Sequence, residues 1–144
     1  KFKLEDNVTE HGYLPHSETV TQLMASDVLW MTMSDDLSAP GKLYEYFGTR
    51  KPILGLVPKS SHAERMLRDY GNATIAEPDD VTAIKEALIK YFKLWKQWKL
   101  PVADKEEFLK KYDRQFVSKE LALQLTFMSV SLDGEIKKLR RKYS

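Results

Sequence analysis

Cysteine is absent from the 144 residues, which excludes disulfides, thiolate zinc sites and a cysteine nucleophile and argues against a small secreted scaffold. Imidazoles are scarce: His11, His16 and His62 are the only ones, and their scatter lacks zinc-ligand spacing. Apolar runs are short and broken by charge, well under the ~20 residues that span a bilayer. No excess of one charge exists either. Lys and Arg number 23 and Asp and Glu 21, leaving +2, too near neutral for a dedicated nucleic-acid binder. The chain opens Lys1-Phe2-Lys3, with neither a starting Met nor a signal-peptide pattern, and is expected to be a piece of a longer protein.

Apolar residues make up 42% of the chain and charged ones 31%, the composition of a soluble globular domain and not of a disordered chain. At about 150 residues per domain the length suits one compact unit. Along it, strand-like and helix-like patterns alternate. Val8 to Leu14 reads as a strand, and Ser17 is placed to cap a helix with Val20, Leu23 and Met24 on one face. Val28 to Met33 is nearly continuous apolar sequence, which predicts a strand buried on both faces, as parallel sheets require.

Gly41 to Gly48 is a short helix by the spacing of Leu43, Tyr46 and Phe47, with Pro52 barring its continuation. Ile53 to Val57 is a second buried strand. Ala63, Met66, Leu67 and Tyr70 form a helical stripe that ends at Gly71, where a left-handed residue is wanted. Ala73 to Ala76 is a further short strand. Asp79 or Asp80 caps a longer helix that carries Val81, Ile84, Leu88, Phe92 and Trp95 toward the core, with Pro101 as its limit. Asp104 and Glu107 resemble a capping box before Phe108 and Tyr112, and Ser118 is placed to cap a last helix striped by Leu121, Leu125, Met128 and Leu132. Strands alternating with helices argue for a three-layer α/β fold with a parallel sheet and a helical tail.

The segment from Ser34 to Gly48 carries the most chemistry, because ligands of open α/β sheets bind at the carboxyl ends of strands and this loop leaves such an end. Ser38, Ala39 and Gly41 are small, and Pro40 fixes the turn, so a ligand can approach the backbone before the helix begins. Free N–H groups and the positive dipole end there favour a phosphate, and Lys42 can add a charge-assisted contact. Glu45, one turn in, is badly placed to hold phosphate but well placed to accept two hydrogen bonds from a sugar diol. Spacing alone favours the plainer reading of Glu45 as a solvated helix residue near a favourable dipole end.

Other groups have plainer explanations. Asp35 and Asp36 have the makings of a metal or phosphoacceptor site, or of a solvated loop pair. Trp95, Trp98, Tyr91 and Phe92 alternate with Lys90, Lys93, Lys96 and Lys99, a mixture found at nucleic-acid and membrane surfaces, yet their spacing is that of core packing for all but Trp98. The basic tail Lys137-Lys138-Leu139-Arg140-Arg141-Lys142 suits either an anionic lipid surface or a solvated helix end.

Five ordered stretches then carry a resemblance: Asn7-Val8, His11-Gly12-Tyr13-Leu14-Pro15-His16, Ala25-Ser26-Asp27-Val28-Leu29, Pro40-Gly41-Lys42-Leu43-Tyr44-Glu45-Tyr46 and Lys51-Pro52-Ile53-Leu54. Together with Glu77-Pro78-Asp79-Asp80 and the run from Tyr112-Asp113-Arg114 to Leu125, the chain resembles the C-terminal, donor-binding domain of retaining glycosyltransferases of GT-B architecture, group 1 or family 4-like. The resemblance implies an incomplete Rossmann-like donor domain over residues 1–100 followed by a helical segment over 101–144.

It further implies that Glu45 binds the ribose of a nucleotide-sugar, that Ser38 and the backbone from Pro40 through Gly41 and Lys42 to Leu43 meet the diphosphate, and that Gly12, Tyr13 and Leu14 pass the base. No metal and no cofactor beyond the nucleotide-diphosphate sugar are expected. The acceptor is a glycan, a lipid-linked group or another acceptor, and the enzyme is cytoplasmic with contact to a membrane where the acceptor is lipid-linked. Many members carry a Glu eight residues before the ribose Glu to contact the sugar; here Leu37 stands there, with Asp35 and Asp36 displaced toward the strand.

The family's acceptor domain and the basic residues that neutralise the diphosphate lie on units preceding a segment like Val8 to Leu14, so residues 1–144 alone are expected to be inactive. An epimerase of the same architecture and a non-catalytic α/β signalling or binding module remain as alternatives. In the doubly wound order 3-2-1-4-5-6, Val8 to Leu14 takes the place of strand 3 and Val28 to Met33 that of strand 4. Strands 1 and 2 being absent, those two either pair directly or associate through an edge with a second copy.

Overall fold

A computed structural model describes residues 5–34, 41–104, 106–113 and 115–128. The chain divides into two compact units, Lys1–Asp104 and Lys105–Ser144.

The first unit is α/β. After a 3₁₀ turn at Glu5–Asn7 the elements run α1 (His16–Ala25), β1 (Leu29–Thr32), α2 (Gly41–Thr49), β2 (Ile53–Leu56), α3 (His62–Tyr70), β3 (Ala73–Ala76) and α4 (Val81–Lys96). The strands form one parallel sheet in the order β1-β2-β3. Leu29 pairs with Ile53 and Ile53 with Ala73. A helix intervenes between each pair, in keeping with a Rossmann-like arrangement.

Alternation along the strands assigns the two faces. Ile53 and Val57, with Leu29 in register beside Ile53 and Met31 beside Gly55, are buried, as are Leu43 and Phe47 of α2 and Ala63, Met66, Leu67 and Tyr70 of α3. Phe47 and Tyr70 lock α2 to α3 with ring centroids 4.8 Å apart. On the opposite face Leu54, Leu56 and Ala76 pack against Ala87 and Tyr91 of α4, with Val28, Ala83, Ile84, Leu94 and Leu100 around them. Helix, sheet and helix make three layers.

Local chemistry accounts for the ends. Ser61 caps α3 by accepting from Glu64 N–H at 3.1 Å, while Ser60 N–H donates to the Glu64 carboxylate. Gly71 closes that helix in the left-handed conformation, φ 74°. Asp80 caps α4 by accepting from Ala83 N–H at 2.9 Å. Asn72 is buried and donates to the carbonyls of Arg50 and Pro101, both at 3.2 Å, fastening the chain after α4 to the end of α2.

Four expectations for the chain up to the end of β1 are corrected. Residues 8–14 form no strand; they run as loop into α1. That helix starts at His16 with Pro15 at its cap position and no side-chain cap, so Ser17 does not cap it. Of the stripe expected beneath α1, Leu23 is half-buried while Val20 and Met24 are exposed. β1 is not buried on both faces: Leu29 and Met31 are, but Trp30 is 50% exposed, since β1 is an edge strand and α4 covers β2 and β3.

The face of α4 is rotated from the expected one. Val81, Leu88, Phe92 and Trp95 are exposed, and Ile84 is half-buried. Ile84 packs against the core as expected, and the other inward residues are Ala83, Ala87, Tyr91 and Leu94, anchored by the Tyr91 hydroxyl donating to the Ile53 carbonyl at 3.1 Å. The helix ends at Lys96, well before Pro101.

The second unit holds α5 (Glu106–Tyr112), in which the Phe108 and Tyr112 rings meet at a 60° tilt with centroids 4.9 Å apart, and a helical run over residues 115–128. Asp113, not Ser118, caps that run: its carboxylate accepts from Gln115 and Phe116 N–H at 2.8 and 3.0 Å. Leu121, Leu125 and Met128 of the expected stripe are exposed, and Leu132 lies outside the described residues. No described helix is long and apolar enough to cross a membrane.

Candidate functional site

In a parallel sheet every strand delivers its chain to the same edge, so the helix after each strand begins there. α2 therefore starts at the carboxyl edge of the sheet. α1, which leads into β1 through Ser26 and Asp27, runs back from that same edge, and its first residue meets α2 across it. His16 Nε2 lies 3.4 Å from Glu45 Oε1, the imidazole exposed and the carboxylate half-buried. His62, the third imidazole, stands at the start of α3, exposed.

Glu45 sits in the second turn of α2 because Leu43 and Phe47 on either side of it point into the core and a 3.6-residue period turns the residue between them outward. Leu43 is fully buried, backbone included, so of the stretch expected to meet the diphosphate Gly41 and Lys42 are exposed and Leu43 is not. Tyr46 reaches the other way: its hydroxyl donates to the Trp30 carbonyl at 3.1 Å. Burial, and after it the Glu45 charge, hold the Tyr46 phenol above its ordinary pKa, so it stays a neutral hydrogen-bond donor.

The loop ahead of α1 is exposed. Gly12 has φ 65°, a left-handed turn in which a Cβ would be strained although nothing stands within 4 Å of it. Tyr13 is 96% exposed and Leu14 half-buried. Pro15 then delivers the chain to His16, so Gly12, Tyr13 and Leu14 lead directly into the residue that meets Glu45. Ser38 and Pro40, with Asp35, Asp36, Leu37 and Ala39, lie outside the described residues. Glu45, Gly41, Lys42 and the Gly12 loop, the candidates named from the sequence, lie on α2 and in the loop before α1, and the sequence does not foretell the meeting of His16 with Glu45. A signal for His16 was present in its place just after Pro15, at the amino end of a helix, where imidazole does nothing for the helix itself.

Among the described residues no group of three or more His, Asp or Glu side chains is arranged to hold a metal ion. Two shallow concavities lie elsewhere. One of about 440 Å³ is lined by Glu107, Lys110, Lys111, Phe116, Val117 and Glu120. Another of about 430 Å³ runs along the outer side of α4 by Ile89, Lys90 and Lys93. Neither includes a residue of α2 or of the loop before α1.

The chain matches no family model, no curated protein and no solved structure.

Proposed function

We propose that this chain is the nucleotide-sugar-binding portion of a retaining glycosyltransferase of GT-B architecture, which moves a sugar from a nucleotide-diphosphate donor to a glycan, a lipid-linked group or another acceptor. The observation that carries the reading is the position of Glu45, a half-buried carboxylate one turn inside a helix that opens at the carboxyl edge of a parallel sheet. Each part then has a task. The carboxylate accepts from the two hydroxyls of the ribose, backbone N–H groups at the start of α2 and the Lys42 ammonium face the diphosphate, and the loop at Gly12, Tyr13 and Leu14 passes the base.

Transfer raises negative charge on the departing diphosphate, which the dipole end of α2 and Lys42 stabilise in part. Orientation of the acceptor, and further basic groups, are assigned to a partner domain of the parent enzyme, and residues 1–144 act as a binding unit without turnover. The parent is read as a cytoplasmic enzyme, touching a membrane surface where its acceptor is lipid-linked.

Calorimetric titration with uridine, guanosine and adenosine diphosphates tests the reading. One of them is expected to bind, and Glu45→Gln is expected to weaken that binding by about 1.5–3 kcal/mol, the range for a hydrogen bond to a charged group. Unchanged affinity in Glu45→Gln sinks it.

A further inference from the structure

The amino end of α1 is built in a way that helix stability does not explain. Its cap position holds Pro15, with φ −55° and ψ 150° and no side-chain cap, and its first residue is an imidazole that makes no capping hydrogen bond to its own helix. The backbone there is nonetheless held firmly: the Pro15 carbonyl accepts from both Thr19 N–H, at 3.0 Å, and the Thr19 hydroxyl, at 3.2 Å. The contact His16 makes is directed off its own helix. Its Nε2 faces Glu45 Oε1 on α2.

A carboxylate that is to receive two neighbouring hydroxyls must present its plane in one orientation, and a glutamate free to rotate about its side-chain bonds loses that freedom on binding. A donor resting on one oxygen removes the cost beforehand. Oε1 keeps a second lone pair and Oε2 keeps both, so an N–H from His16 still leaves acceptors for both hydroxyls. We propose that His16 is a positioning residue for the diol-binding carboxylate, donating from Nε2 to Glu45 and fixing its plane for the ribose of a nucleoside diphosphate. This rests on the donor-binding reading of Glu45 and adds the group that makes that carboxylate selective for a vicinal diol.

The test uses the 144-residue chain and the nucleoside diphosphate, among those of uridine, guanosine and adenosine, that it binds most tightly. His16→Ala is expected to raise the Kd about fivefold with the melting temperature unchanged, since the side chain is exposed. His16→Gln, whose amide still donates, is expected to keep the Kd within about twofold of the parent value. In a Glu45→Gln background His16→Ala is expected to add nothing, because the group it orients has lost its function. An unchanged Kd in His16→Ala, alongside a weakened Glu45→Gln, overturns the inference and leaves the donor reading standing. So does an equal loss from His16→Ala in both backgrounds, which marks a merely structural part. Glu45→Gln without effect overturns the donor reading itself. A 2′-deoxyribose analogue supplies a second measurement: it is expected to bind the parent chain more weakly and to be indifferent to His16→Ala, and a loss equal to that of the ribose form counts against the inference.

Discussion

Gly55, at the centre of β2, lies so close under Leu67 of α3 that a methyl group in place of its hydrogen would run into Leu67 Cδ1. Parallel sheets carry helices at the distance their side chains allow, and here a missing side chain brings α3 down onto the middle strand. Leu67 is fully buried between that strand and its neighbours, so it has no room to retreat. Gly55→Ala is expected to destabilise the chain by about 1–3 kcal/mol through overpacking. Leu67→Ala alone is expected to cost about 2–5 kcal/mol. Urea unfolding of the double variant is expected to give less than the sum of the two, because the cavity left by one accepts the methyl added by the other. Strict additivity counts against this packing.

High pH acts on buried phenols. Burial pushes Tyr70 up from 10.0 to about 12, with Asn72 and Arg50 pulling weakly the other way, and burial raises Tyr91 and Tyr46 as well. In the unfolded chain these phenols ionise near pH 10, while the folded chain still holds their protons. Between the two values the unfolded state binds fewer protons, so stability falls as pH rises. The Tyr70 contribution is complete below pH 10 and is lost as pH climbs through about 12. Urea midpoints measured from pH 8 to 12 are expected to decline from about pH 10, and Tyr70→Phe is expected to flatten that decline. The same variant loses the hydrogen bond from the Tyr70 hydroxyl to the Lys51 carbonyl, 2.9 Å, at a cost of about 0.5–1.5 kcal/mol at neutral pH.

Nucleotide binding is expected to proceed without a divalent ion, the diphosphate being met by the start of α2 and by Lys42. Titrations in the presence of a chelator check this. Binding that disappears with chelator and returns with magnesium or manganese transfers attention to Asp35 and Asp36.

β1 is paired on one side, by β2. Of the two ways expected to satisfy its other side, direct pairing with residues 8–14 is closed, since these form loop. Association with a second copy is the remaining one. The exposed Trp30 ring and the Leu88, Phe92 and Trp95 stripe of α4, which Trp95 ties to the β1 end by donating to the Asp27 carboxylate at 3.0 Å, supply apolar surface for it. Light scattering is expected to show concentration-dependent dimers in the parent chain and monomers in Trp30→Lys. A strict monomer at high concentration refutes the association.

Much of the fold was legible because its signals are local. Leu43 and Phe47 at helical spacing, the stripe from Ala63 to Tyr70 with Gly71 behind it, the Asp80 cap and the unbroken apolar run in β2 each state their conformation within a few residues. The misreadings arise where a neighbour decides. Residues 8–14 have the composition of a strand, but a strand needs a partner for its backbone groups. In α4 two apolar stripes compete, and the sequence cannot rank Leu88, Phe92 and Trp95 against Ala87, Tyr91 and Leu94; contact with Leu54, Leu56 and Ala76 selects the second. At the candidate site, the place of Glu45 one turn inside a helix was legible, whereas its contact with His16 was not, because that contact joins elements on either side of a strand.

None of the three tryptophans is buried: Trp30 and Trp95 are about half exposed, at 50% and 49%, and Trp98 is 94% exposed. The core chromophores are tyrosines instead, Tyr70 and Tyr91. Indole emission of the native chain therefore already lies toward the red, where the unfolded chain also emits. Melting this fold will move the fluorescence maximum little, whereas any body that settles over Trp30 or Trp95 will move it to the blue. For this molecule intrinsic fluorescence reports on company and not on folding.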